Sequence, residues 1–440
     1  MKRVLPCLTI FILSISIVSA EPIRLSIRQA LERAFACDLD YMAAQKEVCI
    51  SKARARQAAG DLWPSVTLES SLFLTDLKKE YSLSLPLSSG EVIIAPETDN
   101  IQKNSLTLVQ PLFNGGVLAN KRAFYNTGAE AALRQLEGTA RGLILKVQEL
   151  YWTIVKLDNG KKVLEKTREL VLSHKNDVET FYREGLATRV DLLRINERLS
   201  RIDLEIIENR NRREKVALQL KDILGMDGEE TIMPISAVEE IAGSLPPENS
   251  CVGIALSSND FIREAQLAVE AARYKEKMAR GDFSPRVALI ATYHYDKPNT
   301  SMQPLLNTYQ ESWEAGISLS FDLFAGGKKF ARATEASLFA DKSLLLYEKA
   351  RRNLRSTVKS LYRDYEAQGQ TLEVARRNAE EAEESFRMTR ALYLEGMAVN
   401  SDVLDAETAY TEARIRVLTA RVDRELARLR VLNVMGVLEK

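Results

Sequence analysis

Apolar and polar positions alternate with a period of two in four stretches of the chain, while long tracts elsewhere repeat in steps of three and four. Around residues 65–75, Val66, Leu68, Leu72 and Leu74 share one side, and Ser65, Thr67, Glu69, Ser71 and Thr75 the other. Over 104–112, Leu106, Leu108 and Leu112 oppose Ser105 and Thr107. Over 286–295, Val287, Leu289, Ala291, Tyr293 and Tyr295 fall together. The clearest stretch is 312–323, where Trp313, Ala315, Ile317, Leu319, Phe321 and Leu323 face away from Ser312, Glu314, Gly316, Ser318, Ser320 and Asp322. This is the strand period, and it predicts four strands with one apolar face each. Such strands suit a sandwich or α+β sheet with one wet face. They also suit a membrane β-barrel, apolar toward lipid and polar toward a lumen, with Trp63, Tyr293, Tyr295 and Trp313 near the interfaces. Small barrels need about eight strands, so a barrel built from these four requires several chains, two giving about eight and three about twelve.

The remaining pattern predicts helices too long for a compact domain. The segment from Val117 to Tyr182 reads as one helix, on the order of 100 Å at about 1.5 Å per residue, and Lys328 to Tyr393 reads as a second of the same length. Val163, Thr167, Leu170, His174, Val178 and Phe181 form an apolar seam in the first, and Ala375, Ala379, Ala382, Phe386, Thr389 and Tyr393 in the second. Return helices follow on Leu192, Ile195, Leu199, Ile202 and Ile206, and on Val403, Ala406, Tyr410, Ala413 and Val417. Narrow seams and short turns predict antiparallel, coiled-coil-like packing in a thin wall wetted on both sides. Proline supports this, since 122 residues between Pro111 and Pro234 and 136 from Leu305 to Lys440 contain none, and proline breaks helix interiors. Gly185 and Gly396 suit the left-handed residue that ends a helix. Thr188-Arg189-Val190-Asp191 reads as a capping box that starts the next helix; in the second copy Val399 replaces Thr188, so Asn400 or Ser401 is expected to cap.

The two halves are copies. Gly60 to Leu68 (GDLWPSVTL) matches Gly281 to Leu289 (GDFSPRVAL) at an offset of 221. Leu112-Phe113-Asn114-Gly115-Gly116 matches Leu323-Phe324-Ala325-Gly326-Gly327 at 211, as do Tyr182 to Gly185 with Tyr393 to Gly396, and Gly225 with Gly436. The ten-residue difference falls between Pro64 and Leu112, where the first hairpin has the longer loop. The implied organisation is a first repeat over 21–235 (a helix, a hairpin about 64–113, a long helix 116–182 and a return helix 189–224). A linker follows over 226–257. The second repeat spans 258–440 (a helix, a hairpin about 285–324, a long helix 327–393 and a return helix 400–436).

Composition adds compartment and exclusions. Met1, Lys2 and Arg3 precede an apolar run, Val4 to Val18, and Val18 and Ala20 occupy the positions of a cleavage site before Glu21. This reads as a secretory signal peptide over 1–20. Glu21 rather than Cys follows the cut, so no lipid anchor is expected. Basic and acidic residues both number 61, which weakens any nucleic-acid reading. Cys37 and Cys49 lie 12 residues apart in a helical pattern, too far for a bridge within one straight helix; with Cys251 they leave an odd count in the mature chain. The two histidines, His174 on a seam and His294 on a strand, have no ligand set beside them, so no metal, cofactor or enzymatic chemistry is expected. Gly326-Gly327-Lys328 and Gly160-Lys161-Lys162 lack the first glycine of a phosphate loop.

These features together resemble the TolC-type outer membrane efflux proteins. The resemblance rests on the leader, the paired Leu-Phe-x-Gly-Gly junctions, the 182–193 segment YREGLATRVDLL and the tail from Tyr393 to Gly436, and covers nearly the whole mature chain. Two departures are the loss of the Asn-Pro often found in the first helix, here around Cys37-Asp38, and a chain that stops at Lys440 without a C-terminal extension. The resemblance implies an α+β membrane protein: a homotrimer whose twelve strands form one β-barrel in the outer membrane, continued by a coiled-coil α-helical barrel across the periplasm, with 226–257 in an equatorial belt. It implies that the hairpin tips, Gly185, Leu186, Ala187 and Thr188 with Gly396, Met397, Ala398 and Val399, face a periplasmic adaptor linked to an inner-membrane pump. It also suggests an acidic luminal ring from Glu380, Glu381, Glu383, Glu384 and Asp177, which reads otherwise as a solvated helix face. The expected role is a passive exit duct for small molecules. A type I protein secretion channel and a non-pore periplasmic scaffold are the alternatives.

Overall fold

The computed structural model of the chain describes residues 23–77, 79, 81–84, 91–95, 97–227, 230–236, 243–298 and 306–438. The leader read at 1–20 lies outside these, as do 228, 229 and 237–242 of the expected linker.

A short strand, β1 (Ile23–Leu25), leads into α1 (Ile27–Cys37) and α2 (Leu39–Gly60). The sequence merged these two helices into one, and the break at Asp38 corrects it. The Asp38 N–H closes α1 on Ala34 O at 2.8 Å, and its carboxylate accepts from Tyr41 N–H at 2.7 Å to open α2. Cys37 and Cys49 therefore stand on different helices, and both are free thiols, as is the buried Cys251.

The first hairpin is β2 (Ser65–Leu77) and β5 (Thr98–Phe113), joined through a small antiparallel ribbon, β3 (Tyr81–Ser84) with β4 (Glu91–Ala95). The ribbon lies where the two sequence copies differ in length. Helices α3 (Val117–Arg183) and α4 (Arg189–Ile223) follow, then β6 (Ile232–Pro234). The remaining elements are α5 (Glu248–Ser258), α6 (Asp260–Gly281), β7 (Arg286–Asp296), β8 (Gln310–Ser320), α7 (Lys328–Leu394) and α8 (Asn400–Met435). Asn259 breaks α5 from α6 as Asp38 breaks α1 from α2, its side chain accepting from Ile262 N–H at 3.2 Å. At the far end of α8, Gly436 lies so close to this break that a Cβ would stand 2.5 Å from the Ser258 carbonyl oxygen.

Two 67-residue helices, α3 and α7, each about 100 Å long, carry the molecule. Toward the strands the helices pack in the order α2, α3, α6, α7; toward the hairpin turns the order is α4, α3, α8, α7. The result is a wall one helix thick. Its largest apolar cluster lies midway, where Tyr151, Trp152, Leu220 and Leu224 are fully buried. There β1 pairs in parallel with β6, and the Tyr151 hydroxyl donates to Leu25 O at 2.8 Å while accepting from the N–H groups of Ile235 and Ser236. The strand sequence is too short to have revealed this two-stranded sheet.

The four long strands form one antiparallel sheet in the order β2-β5-β7-β8. Register assigns every side chain to a face. Val66, Leu108, Ala291 and Ala315 make one cross-strand row, and Leu68, Leu106, Tyr293 and Trp313 the next. Thr67, Thr107, Thr292 and Glu314 lie on the opposite face, beside Glu69, Ser105, His294 and Ser312. Two details differ from the alternation read in the sequence. A bulge between Pro111 and Phe113 sets Phe113, not Leu112, opposite Val287, because a bulge inserts one unpaired residue. Strand β8 ends at Ser320, leaving Phe321, Leu323 and Phe324 beyond the sheet and exposed.

Candidate functional site

Two regions concentrate features that folding alone does not require. The first is the apolar strand face. Leu68, Trp313, Ile317 and Leu319 are 68–77% exposed, and no charge stands among the rows that join them. Apart from Gln110, which pairs with Leu289, these rows are apolar, and such a face marks contact with lipid or protein. A strand of 11 residues is about 37 Å long, enough to cross a tilted barrel's apolar band of about 25 Å. Tyr293, Tyr295 and Trp313 lie toward one end of the face, Trp63, Phe113 and Phe324 toward the other, as in the aromatic girdles of membrane barrels. Among the described helices, none is long and apolar enough to cross a membrane.

The second region is the pair of hairpin turns. Gly185 and Gly396 adopt φ of 77° and 76°, conformations that a Cβ disfavours. Each lets the next amide return to the helix it follows: Leu186 N–H donates to Phe181 O at 2.7 Å, and Met397 N–H to Leu392 O at 2.8 Å. The turns thus expose Leu186, Met397 and Val399, at 74, 64 and 60%, while Ala187 and Ala398 pack inward against the buried cluster of Val178, Ile195, Tyr393 and Val403. Thr188 forms the expected box, its hydroxyl and N–H donating to Asp191 at 2.6 and 2.9 Å. Burial would raise the Asp191 carboxyl, but these hydrogen bonds outweigh it and hold the group below its ordinary value.

The second tip is built differently. Asn400 and Ser401 do not cap α8. Val399 holds the capping position with no side-chain hydrogen bond, and its N–H donates to Asp402 at 3.4 Å. Asn400 is 3% exposed because its amide is committed elsewhere: His174 Nε2 lies 2.8 Å from its Oδ1, and its Nδ2 donates to the Asp191 carbonyl at 3.3 Å. Farther along the seam, Arg198 donates to both Glu407 oxygens at 2.8 and 3.3 Å. The same carboxylate accepts from Thr411, whose hydroxyl meets Thr167 at 2.9 Å. The sequence reading missed Arg198 and Glu407. Their signal was available, since each stands three or four residues from apolar seam positions, Arg198 between Ile195 and Ile202 and Glu407 between Val403 and Tyr410.

The acidic run lies on the exposed side of α7. Glu380, Glu381, Glu383 and Glu384 are all exposed. Glu384 accepts from Arg387 at 2.5 and 2.8 Å, which lowers its carboxyl below the ordinary range. Asp177, half-buried on α3, lies 3.7 Å from Arg390.

A family model described as outer membrane efflux protein matches residues 27–226 and 252–437. The chain belongs to that family. Among relatives of the outer membrane efflux protein family, the alkaline protease secretion protein AprF of Pseudomonas aeruginosa is 25% identical over 348 residues, 77% of this chain and 70% of that one. The outer membrane protein TolC of Vibrio cholerae is 22% identical over 324 residues, 71% and 72% of the two chains. The solved outer-membrane channel OprN superposes with a TM-score of 0.79 at 20% identity, covering 94% of this chain and 90% of that one. The family is one of outer membrane efflux channels and not of enzymes.

Proposed function

We propose that this outer membrane efflux protein is a passive exit duct that assembles as a homotrimer. The observation that carries the reading is the four-stranded sheet, which presents a largely apolar face and, among the described residues, ends in two edge strands, β2 and β8. Pairing β2 of one copy with β8 of the next removes both edges, and three copies give a closed barrel of about twelve strands, within the range of membrane barrels. The helical walls continue it as a periplasmic tunnel, reached after a cleaved leader takes the chain across the inner membrane. The two sequence repeats and the 226–257 belt belong to the same reading. Leu186, Met397 and Val399 at the tips, with Gly185, Ala187, Thr188, Gly396 and Ala398 shaping the turns, receive a periplasmic adaptor that couples the duct to an inner-membrane pump.

The purified full-length protein should migrate as a trimer unheated and as a monomer after boiling, and should form conducting channels in planar bilayers. A soluble, non-conducting periplasmic species would overturn the reading in favour of a scaffold. Small-molecule efflux is the first cargo assignment. Export of a polypeptide is the second, supported by the identity with a protease secretion protein over 348 residues. Deletion of the gene separates them, as drug sensitivity follows from the first and loss of one secreted protein from the second.

Glu380, Glu381, Glu383 and Glu384, with Asp177, form the candidate luminal acidic ring. Repeated in three copies, such a ring favours cations and resists anions. Neutralising Glu380 and Glu384 should reduce cation selectivity and relieve block by multivalent cations in single-channel recordings. Unchanged selectivity and block would leave the run as a solvated helix face.

A further inference from the structure

His174 is the unusual group of the tip region. Its ring is 4% exposed and packs edge-on against Tyr393 of α7, with centroids 4.8 Å apart. Asn400 Nδ2 donates to the Asp191 carbonyl, which only accepts, so the amide orientation is fixed and Oδ1 must face His174. An oxygen acceptor there requires the proton on Nε2. The neutral ring then leaves Nδ1 as a buried acceptor, and that atom has no hydrogen-bond partner among the described residues. A second proton would enter at Nδ1, where no acceptor waits and where burial opposes the charge.

The hydrogen-bond chain from His174 through Asn400 to the Asp191 carbonyl crosses from α3 to the first turn of α8 and on to α4. It joins the hairpin turn of the first half to that of the second. We propose that His174 and Asn400 form an acid-released latch between the two hairpin tips. Protonation at Nδ1 is tolerated only if the ring reaches water, and the ring reaches water only if the start of α8 moves off α3.

The groups around the ring set the direction. Burial lowers the His174 pKa; the Asn400 bond and the carboxylates of Asp177 on α3 and Glu407 on α8 pull it back up, and Arg390 on α7 lowers it. Burial prevails. Tyr393 on α7 stays neutral, its hydroxyl pushed up to about 12 by burial and by Asp191 and Asp177. Asp191 on α4 stays charged, below the ordinary carboxylate range. An exposed histidine titrates near ~6.5. The packed tips are therefore undisturbed above about pH 6.5 and lose stability as pH falls below it, until the packed ring itself is protonated. Within that window the ratio of separated to packed tips rises by up to about tenfold per pH unit.

Spin labels on the two turns test this, at Glu184→Cys and Glu395→Cys in full-length protein whose native cysteines are replaced by serine. Pulsed electron resonance should give one label-to-label distribution at pH 8 and a second, longer population at pH 5. His174→Gln keeps a donor toward Asn400 without titrating, so the long population at pH 5 should vanish; His174→Phe keeps ring volume against Tyr393 but no donor, so its distribution should be the same at pH 8 and pH 5. An unchanged wild-type distribution overturns the latch, and so does a response that persists in both variants, which would assign it to Asp177, Asp191 or Glu407. That tip separation widens a duct rests on the function proposed above. The label distances do not, since a non-conducting scaffold would show the same pH response while failing in bilayers.

Discussion

At the scale of single residues, polar groups inside the seam define how the hairpins meet. Arg198 and Glu407 are each under a tenth exposed and bonded to one another. Glu407→Gln should lower stability, by less than the roughly 3–5 kcal/mol of a fully broken buried pair, because the buried guanidinium keeps only its longer contact with Glu205 at 3.7 Å. Replacing both, Arg198→Met with Glu407→Leu, should recover most of the loss; thermal unfolding of the full-length protein reads both outcomes. Thr188→Ala should cost about 1 kcal/mol through the lost cap, and Val399→Thr should add stability of similar size by giving α8 the cap it lacks. A higher melting temperature for Val399→Thr and a lower one for Thr188→Ala is the expected pair. Local chemistry of this kind was legible in the sequence at Thr188, where donor and acceptor are three residues apart. At Asn400 it was not, since the partners are 226 and 209 residues away and only the fold brings them together.

At the scale of elements, the strands and long helices were readable because period and burial agree. Alternation assigned the faces of β7 and β8 residue by residue, and register keeps those assignments in rows. It failed at Phe113, where a bulge changes parity, and at β1 and β6, which are three residues each and too short to show a period. The helix break at Asp38 was hidden because α1 and α2 keep a continuous helical composition across a single capping residue. The strand faces carry a prediction. Ile317→Lys on the apolar face should destabilise a membrane-inserted barrel by about 2–4 kcal/mol, whereas Ser318→Lys next to it, on the polar face, should be tolerated. Folding yield into lipid vesicles, followed by the heat-sensitive mobility shift on gels, compares the two. Equal losses would mean that the faces are not lipid and lumen.

At the scale of the whole molecule, the strands at one end of the wall and the turns at the other both expose apolar residues. Leu186→Glu with Met397→Glu should leave folding, trimer mobility and bilayer conductance intact while abolishing export in cells, because these two side chains are largely exposed in their own chain. Export assays run beside conductance measurements make that distinction.

The matched lengths of α3 and α7, 67 residues each, turn the pair into a ruler. Both tips end at one level only because both helices count the same number of turns from the barrel. Inserting seven residues at one equivalent seam position in both helices and the same in both return helices would move the level by about 10 Å while keeping every seam contact in phase. Inserting them in one copy alone would stagger the tips by two turns and part His174 from Asn400. Evolution can thus reset the reach of such a chain only by editing both halves together, and the distance it bridges is written twice in one sequence.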